Sequence, residues 1–403
     1  MPTRSPPAAA LIGWLSLAQL ISWGSVFYTF ALLLGPVEQA LGLSRAEVSL
    51  GFSLALLAEG LLAWPVGRLI DRGHERGVMT GGSLLLALGL ALHSAVASRA
   101  GFYAVWLLLG AGLAATLYQP AFAVLTRRYP DSFRRAIITM TFLGGLASTV
   151  FIPLSAWLIQ TLGWRTALLV LAALHLLVCA PLHALLLRGA PPQPAWADAE
   201  MNTTATLRRH LRSTPFVLTG GFIVLLMAVT AALPAHLVSL LRESSLPEAW
   251  VIAVPASIGV LQVLGRMLLY FFEHHLDRHQ SNRLIPLFIP TALLALLLAP
   301  WAGNAQVAVL LLFVLLFGMG NGMLTIVKGT AMAEYVSRAH AASLNGALGL
   351  PMALARAAAP LLLGLLWTPA GGYTAGLWFL LGLSLLGVLA LVRAQGLAGR
   401  APR

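Results

Sequence analysis

The chain has 403 residues, 59% of them hydrophobic and 9% charged, with a formal net charge of +12. An ordinary soluble domain is about one-quarter charged, so this balance excludes one and points to a membrane protein. The positive excess does not suggest a nucleic-acid partner, because the cations sit in short loops between apolar blocks rather than on one aromatic-rich soluble face.

Twelve apolar blocks, each near the ~20 residues that cross a bilayer as a helix, can be read along the chain. They cover residues 10–36, 46–68, 77–97, 101–125, 135–159, 164–188, 215–241, 249–272, 283–301, 306–333, 342–366 and 372–393. The first follows MPTRSPP but is longer than the apolar region of a signal peptide, and no small-residue cleavage site follows it, so it reads as the first span. Ser44 to Glu47, "SRAE", has the spacing of a capping box at the start of the second. The sixth holds Cys179, the one cysteine, which excludes an intramolecular disulfide.

A polar, proline-rich stretch at 189–214 reads as a cytoplasmic linker between two six-span bundles, residues 1–188 and 215–403. The halves echo each other, as a parallel repeat would. Pro153 in "FIPLSAWLIQTLGWRTALLVL" matches Pro360 in "AAPLLLGLLWTPAGGYTAGLWFL". With both termini inside, eighteen loop and tail arginines fall on the cytoplasmic side and four (Arg45, Arg99, Arg165, Arg242) outside. The positive-inside rule predicts that asymmetry for twelve spans, and the expected location is a bacterial inner membrane.

Three cations fall within spans: Arg266, Lys328 and Arg356. Each costs about 3 kcal/mol at a span centre. Glu59 is the one acid well inside a span, away from the span ends. Three cations against one acid leave a positive surplus that an anionic substrate would fill, which is the physical case for an organic-anion site. Snorkelling to the headgroups is the alternative for Arg266 and Lys328, whereas Arg356 is nearly central in its block. Asn321, Thr325 and Lys328 recur at helical spacing, Gln262 and Arg266 lie one turn apart, and Asn345, Arg356 and Pro360 are read as one face. Trp23, Tyr28, Tyr118 and Gln119 would cover an apolar tail or donate hydrogen bonds, with helix packing and interfacial anchoring as the alternative. Glu59 is either a proton carrier or the structural partner of a cation.

The turn after the second span, "GRLIDRGHERG", carries Gly67, Leu69, Asp71, Arg72 and Arg76 in the order of the loop motif of the major facilitator superfamily. Six plus six spans and this turn resemble that superfamily, with His74 where its second glycine is usual and Glu75 replacing a basic residue. The resemblance implies two six-helix bundles, a central cavity lined by spans 1, 2, 4, 5, 7, 8, 10 and 11, and a gating role for Gly67, Asp71 and Arg72. Trp106 stands where proton-driven drug exporters of the superfamily carry an arginine, which demotes drug export. "FYTFALLLGPVEQALGLSRAEVSLGFSL" and "LQVLGRMLLY" resemble the monocarboxylate transporter and oxalate–formate antiporter group. That likeness implies a substrate-binding role for Arg266 and, with "MALARAAAP", for Arg356. Gln262 stands where monocarboxylate transporters have an acid, and Tyr28 where they have a lysine.

"FEHHLDRH", residues 272–279, raises metal binding and a membrane enzyme, but without HExxH or an intramembrane ligand cluster no metal site is expected. The chain is therefore expected to be an all-α, twelve-helix secondary transporter, not an enzyme and without a cofactor. It would move a small organic anion by alternating access, as a monomer in the bilayer, with a proton as candidate coupling ion and no nucleic-acid partner. Export of lipophilic or drug-like compounds is the alternative.

Overall fold

The structure is a computed structural model that describes residues 8–129, 133–189, 209–244, 246–272, 278–337 and 341–398. Those residues are helical apart from short turns, and no strand is named among them. In chain order the long apolar helices are α1 (Ala10–Leu41), α2 (Arg45–Leu69), α3 (Arg72–Ser94), α4 (Arg99–Arg128), α5 (Thr139–Leu162), α6 (Trp164–Leu186), α7 (Thr214–Glu243), α8 (Glu248–Leu269), α9 (Gln280–Trp301), α10 (Gly303–Tyr335), the shorter α11 (Gly349–Leu365), and α12 (Thr374–Ala398). The chain is an all-α membrane protein with the twelve spans that its apolar blocks predict. Exposed Leu61, Trp64, Leu177 and Leu386 present apolar surface that a bilayer covers.

The chain divides into two compact units, Met1–Ala197 with Ala235–Ser239, and Asp198–Pro234 with Leu240–Arg403. In the first, α2 packs on α4, α3 on α4, and α3 on α6; in the second, α8 packs on α10, α9 on α10, and α9 on α12. Phe30 stacks on Phe52 at 4.3 Å between ring centres, with Trp106 edge-on to both, and this cluster ties α1, α2 and α4 together. The predicted capping box is present: the Ser44 amide donates to Glu47 at 2.8 Å, and the Glu47 amide donates to Ser44 Oγ.

Several helices depart from regular α winding, and local chemistry accounts for the departures in α4 and in the eleventh block. Pro120 has no N–H for the Thr116 carbonyl, α4 breaks at Leu117, and Gln19 of α1 donates its Nε2–H to the freed oxygen at 2.5 Å. The eleventh block breaks at Leu348, between a short helix (Ala341–Ala347) and α11, where Pro351 likewise lacks an N–H for Ala347. α5 is interrupted at Leu146, between the helical segments Phe133–Gly145 and Ala147–Leu162, yet it runs on through Pro153, as α7 does through Pro234. α1 contains a π-helical turn, Trp23–Tyr28, and continues through Pro36 to Leu41, beyond the block end at residue 36.

Candidate functional site

In the second unit, α8 and α10 approach backbone to backbone. A β-carbon on Gly322 would collide with the Gln262 carbonyl, one on Gly265 with that of Met319, and one on Gly318 with the Leu261 side chain. Small residues allow this contact in lipid, where apolar bulk supplies no drive for association. It sets Gln262 and Arg266 alongside the polar face of α10, where Thr325 donates to the Asn321 carbonyl at 3.0 Å and Lys328 follows one turn later.

The Lys328 ammonium points back into this unit. Among the described residues its hydrogen bond goes to the Met227 sulfur of α7 at 3.1 Å, a weak acceptor for a full charge. Arg356 and, less strongly, Arg266 act on Lys328 through charge repulsion, so three cations share one region. All three are half-buried, as is Asn321; Gln262 is buried and Thr325 exposed. Asn345 lies in the short helix before the break at Leu348, whereas Arg356 and Pro360 lie in α11 beyond it.

In the first unit, the ring centres of Trp23 and Tyr118 are 5.2 Å apart, and Tyr118 stacks on Phe122 at 5.4 Å. Tyr28 meets Phe27 edge-on at 5.4 Å. Trp23, Tyr28 and Tyr118 are half-buried, and Gln119 is exposed. The Trp23 indole N–H is buried with no hydrogen-bond partner among the described residues. Glu59 is buried at 8% exposure, next to the close approach of α2 and α4 where Gly110 meets Ala55 and Ala58.

The turn between α2 and α3 is π-helical over Ile70–His74, and Gly73 takes φ +88°, a conformation that favours glycine. The flexible position of the loop motif is thus filled by Gly73, one residue before the site where the motif places its glycine. Gly67 faces open space and Arg72 is exposed; the Asp71 side chain lies outside the described part of the molecule.

Sequence reasoning missed what holds this turn. Glu75 is fully buried and pairs with Arg128 at 2.6 Å, Arg127 donates to the Ile70 carbonyl, and Arg76 and Arg128 donate to the carbonyls of Ala184 and Arg188. Glu75, at the start of α3, is therefore a second buried acid of the first unit beside Glu59. The signal was present as an acid inside the run "DRGHER" facing "RR" at the end of the fourth block. "FEHHLDRH" cannot be placed in this way, since its side chains lie outside the described residues.

Two repeats of six membrane helices, with polar and cationic residues on faces that pack through glycine, are the architecture of a small-molecule transporter rather than an enzyme. The family model of the Major Facilitator Superfamily matches residues 15–360, and the chain belongs to that superfamily. It is 30% identical over 311 residues to monocarboxylate transporter 13 of Bos taurus, covering 72% of this chain and 68% of that protein. It is 28% identical over 274 residues to an MFS-type efflux pump of Mycolicibacterium smegmatis, covering 65% and 61%. The crystal structure of a bacterial homolog to the human lysosomal transporter Spinster, inward-facing and occupied, matches with TM-score 0.72 at 15% identity, covering 99% of this chain and 98% of that one. At that identity the likeness shows the fold alone.

Proposed function

We propose that the protein carries a small organic anion, a carboxylate, by alternating access. The reading rests on one observation: the Lys328 ammonium leans on a thioether while Arg356 and Arg266 add positive potential around it. The Lys328 charge costs about 3 kcal/mol in the membrane interior, and a bound carboxylate offsets that cost by accepting charge-assisted hydrogen bonds. Arg356, Arg266 and Lys328 then hold the carboxylate, with Asn321, Gln262 and Asn345 as neutral donors nearby in the same unit. The bovine relative, a monocarboxylate transporter by name, supports the same class.

Glu59, the acid buried in α2, is the proton-coupling group in this reading. Gly67, Asp71 and Arg72 act as gate residues in a turn held by Glu75 and Arg128. The arginine distribution supports a topology with both termini in the cytoplasm and a bacterial inner membrane as the location.

The test is a thermal-shift screen of the purified protein against acetate, pyruvate, oxalate and benzoate, repeated with Arg356→Ala. Stabilisation by at least one acid, lost in the variant, is expected; stabilisation that survives unchanged rejects the site. A second reading, export of lipophilic compounds, draws on the efflux-pump relative and the Trp23–Tyr118 pair. Stabilisation by tetraphenylphosphonium and by none of the acids would favour it.

A further inference from the structure

Residues 23–28 of α1 are wound as a π-helix, and their burial has a pattern that this winding explains. Gly24, Ser25, Val26 and Phe27 are buried, while Trp23 and Tyr28 at its two ends stay half-exposed. In an α-helix, residues five apart point roughly 140° away from each other. Under i→i+5 bonding they lie one turn apart and share a face, and the Thr29 amide makes that bond to the Gly24 carbonyl. The π turn is thus what puts Trp23 and Tyr28 on one side of α1.

Nothing in the sequence WGSVFY compels this winding, and its supports come from two other helices of the same unit. Thr29 Oγ1 donates to the Gly24 carbonyl at 2.9 Å and lies 2.7 Å from Ser155 Oγ of α5, so Ser155 donates to it. Ser25 Oγ donates to the Ile21 carbonyl at 2.7 Å and lies 2.7 Å from His175 Nε2 of α6. With the hydroxyl proton so used, His175 is the Nε2–H tautomer and donates to Ser25. His175 itself opens a further π turn, His175–Cys179. At Gly24 the backbone lies so close to Phe151 of α5 that a β-carbon would collide with the ring. All five polar and apolar supports are buried, and the indole N–H they aim has no hydrogen-bond partner among the described residues.

We infer that Ser155 and His175 are positioning residues: they clamp the π turn of α1 and so set Trp23 and Tyr28 as one substrate-contacting face of the first unit. The inference rests on the organic-anion reading for the identity of that substrate, but the clamp itself can be read without it.

The experiment uses full-length protein labelled with 5-fluorotryptophan in nanodiscs, the Trp23 line being assigned with Trp23→Phe, together with pyruvate counterflow in proteoliposomes. Ser155→Ala and His175→Phe should each shift or split the Trp23 line, while Ser155→Thr, which keeps the hydroxyl, should not. Half-saturating pyruvate should rise by about threefold or more with the maximal rate within about twofold, the pattern of a lost binding contact rather than a lost step. Thr29→Val removes the same bond from the α1 side and stands in for any variant that fails to fold. An unmoved Trp23 line in all these variants overturns the clamp, and a moved line with unchanged half-saturation overturns its role in binding. Should pyruvate and the other acids fail to bind the wild type, the anion reading falls, and the Trp23 line still decides the clamp.

Discussion

Glu75 on α3, Arg128 on α4 and Arg188 after α6 recur, at one constant spacing along the chain, as Asn282 on α9, Tyr335 on α10 and Gln395 on α12. The first set is joined by a buried ion pair and a donation to the Arg188 carbonyl. The second is neutral at its centre: Asn282 and Gln395 both donate to the Tyr335 hydroxyl, at 2.7 and 3.0 Å, with Asn282 also donating to Glu334 and Arg283 to Gln395. The same spacing relates Glu59 at mid-span to Arg266. Helix pairing is what the two repeats share, and charge is placed independently on each. The first unit holds an ion pair at the end of its helices, whereas the second gathers cations within them.

Breaking that ion pair from one side should have the largest effect. Arg128→Ala leaves the Glu75 carboxylate buried and uncompensated, a loss of about 3–5 kcal/mol in chemical unfolding in mixed micelles, and joint replacement of both residues by Met should recover most of it. Next come the glycine contacts, where the repeats should behave alike. Gly110→Val in α4 and Gly322→Val in α10 should each cost about 1–3 kcal/mol by overpacking, and only the α10 variant should also reduce stabilisation by acids. Asn282→Ala should cost about 1–3 kcal/mol because it removes the donor shared by Glu334 and Tyr335. Tyr335→Phe should be mildest, about 1 kcal/mol. A cost for Tyr335→Phe as large as that for Arg128→Ala would sink the contrast between the two corners.

The spans could be read from the sequence because a bilayer imposes length and apolarity on every one of them, and the capping box because its partners are three residues apart. The face shared by Asn321, Thr325 and Lys328 was likewise set by local spacing. The helix break at Leu348, between Asn345 and Arg356, was not legible from spacing alone. Glu75 was counted as a departure from a motif, since its partner Arg128 lies across the bundle. The π turn at Trp23–Tyr28 was invisible for the same reason: Ser155 and His175, far along the chain, select it over ordinary α winding.

The proline at 120 also limits how the first unit can move. Gln19 Nε2 occupies the carbonyl that Pro120 leaves open, and Gln19 Oε1 is buried with no partner among the described residues. Straightening α4 or sliding it along α1 would strand that amide in a place water does not reach. The elbow at Leu117 is therefore a fixed joint that carries α1 and α4 together, and any bending during the transport cycle has to occur at another point.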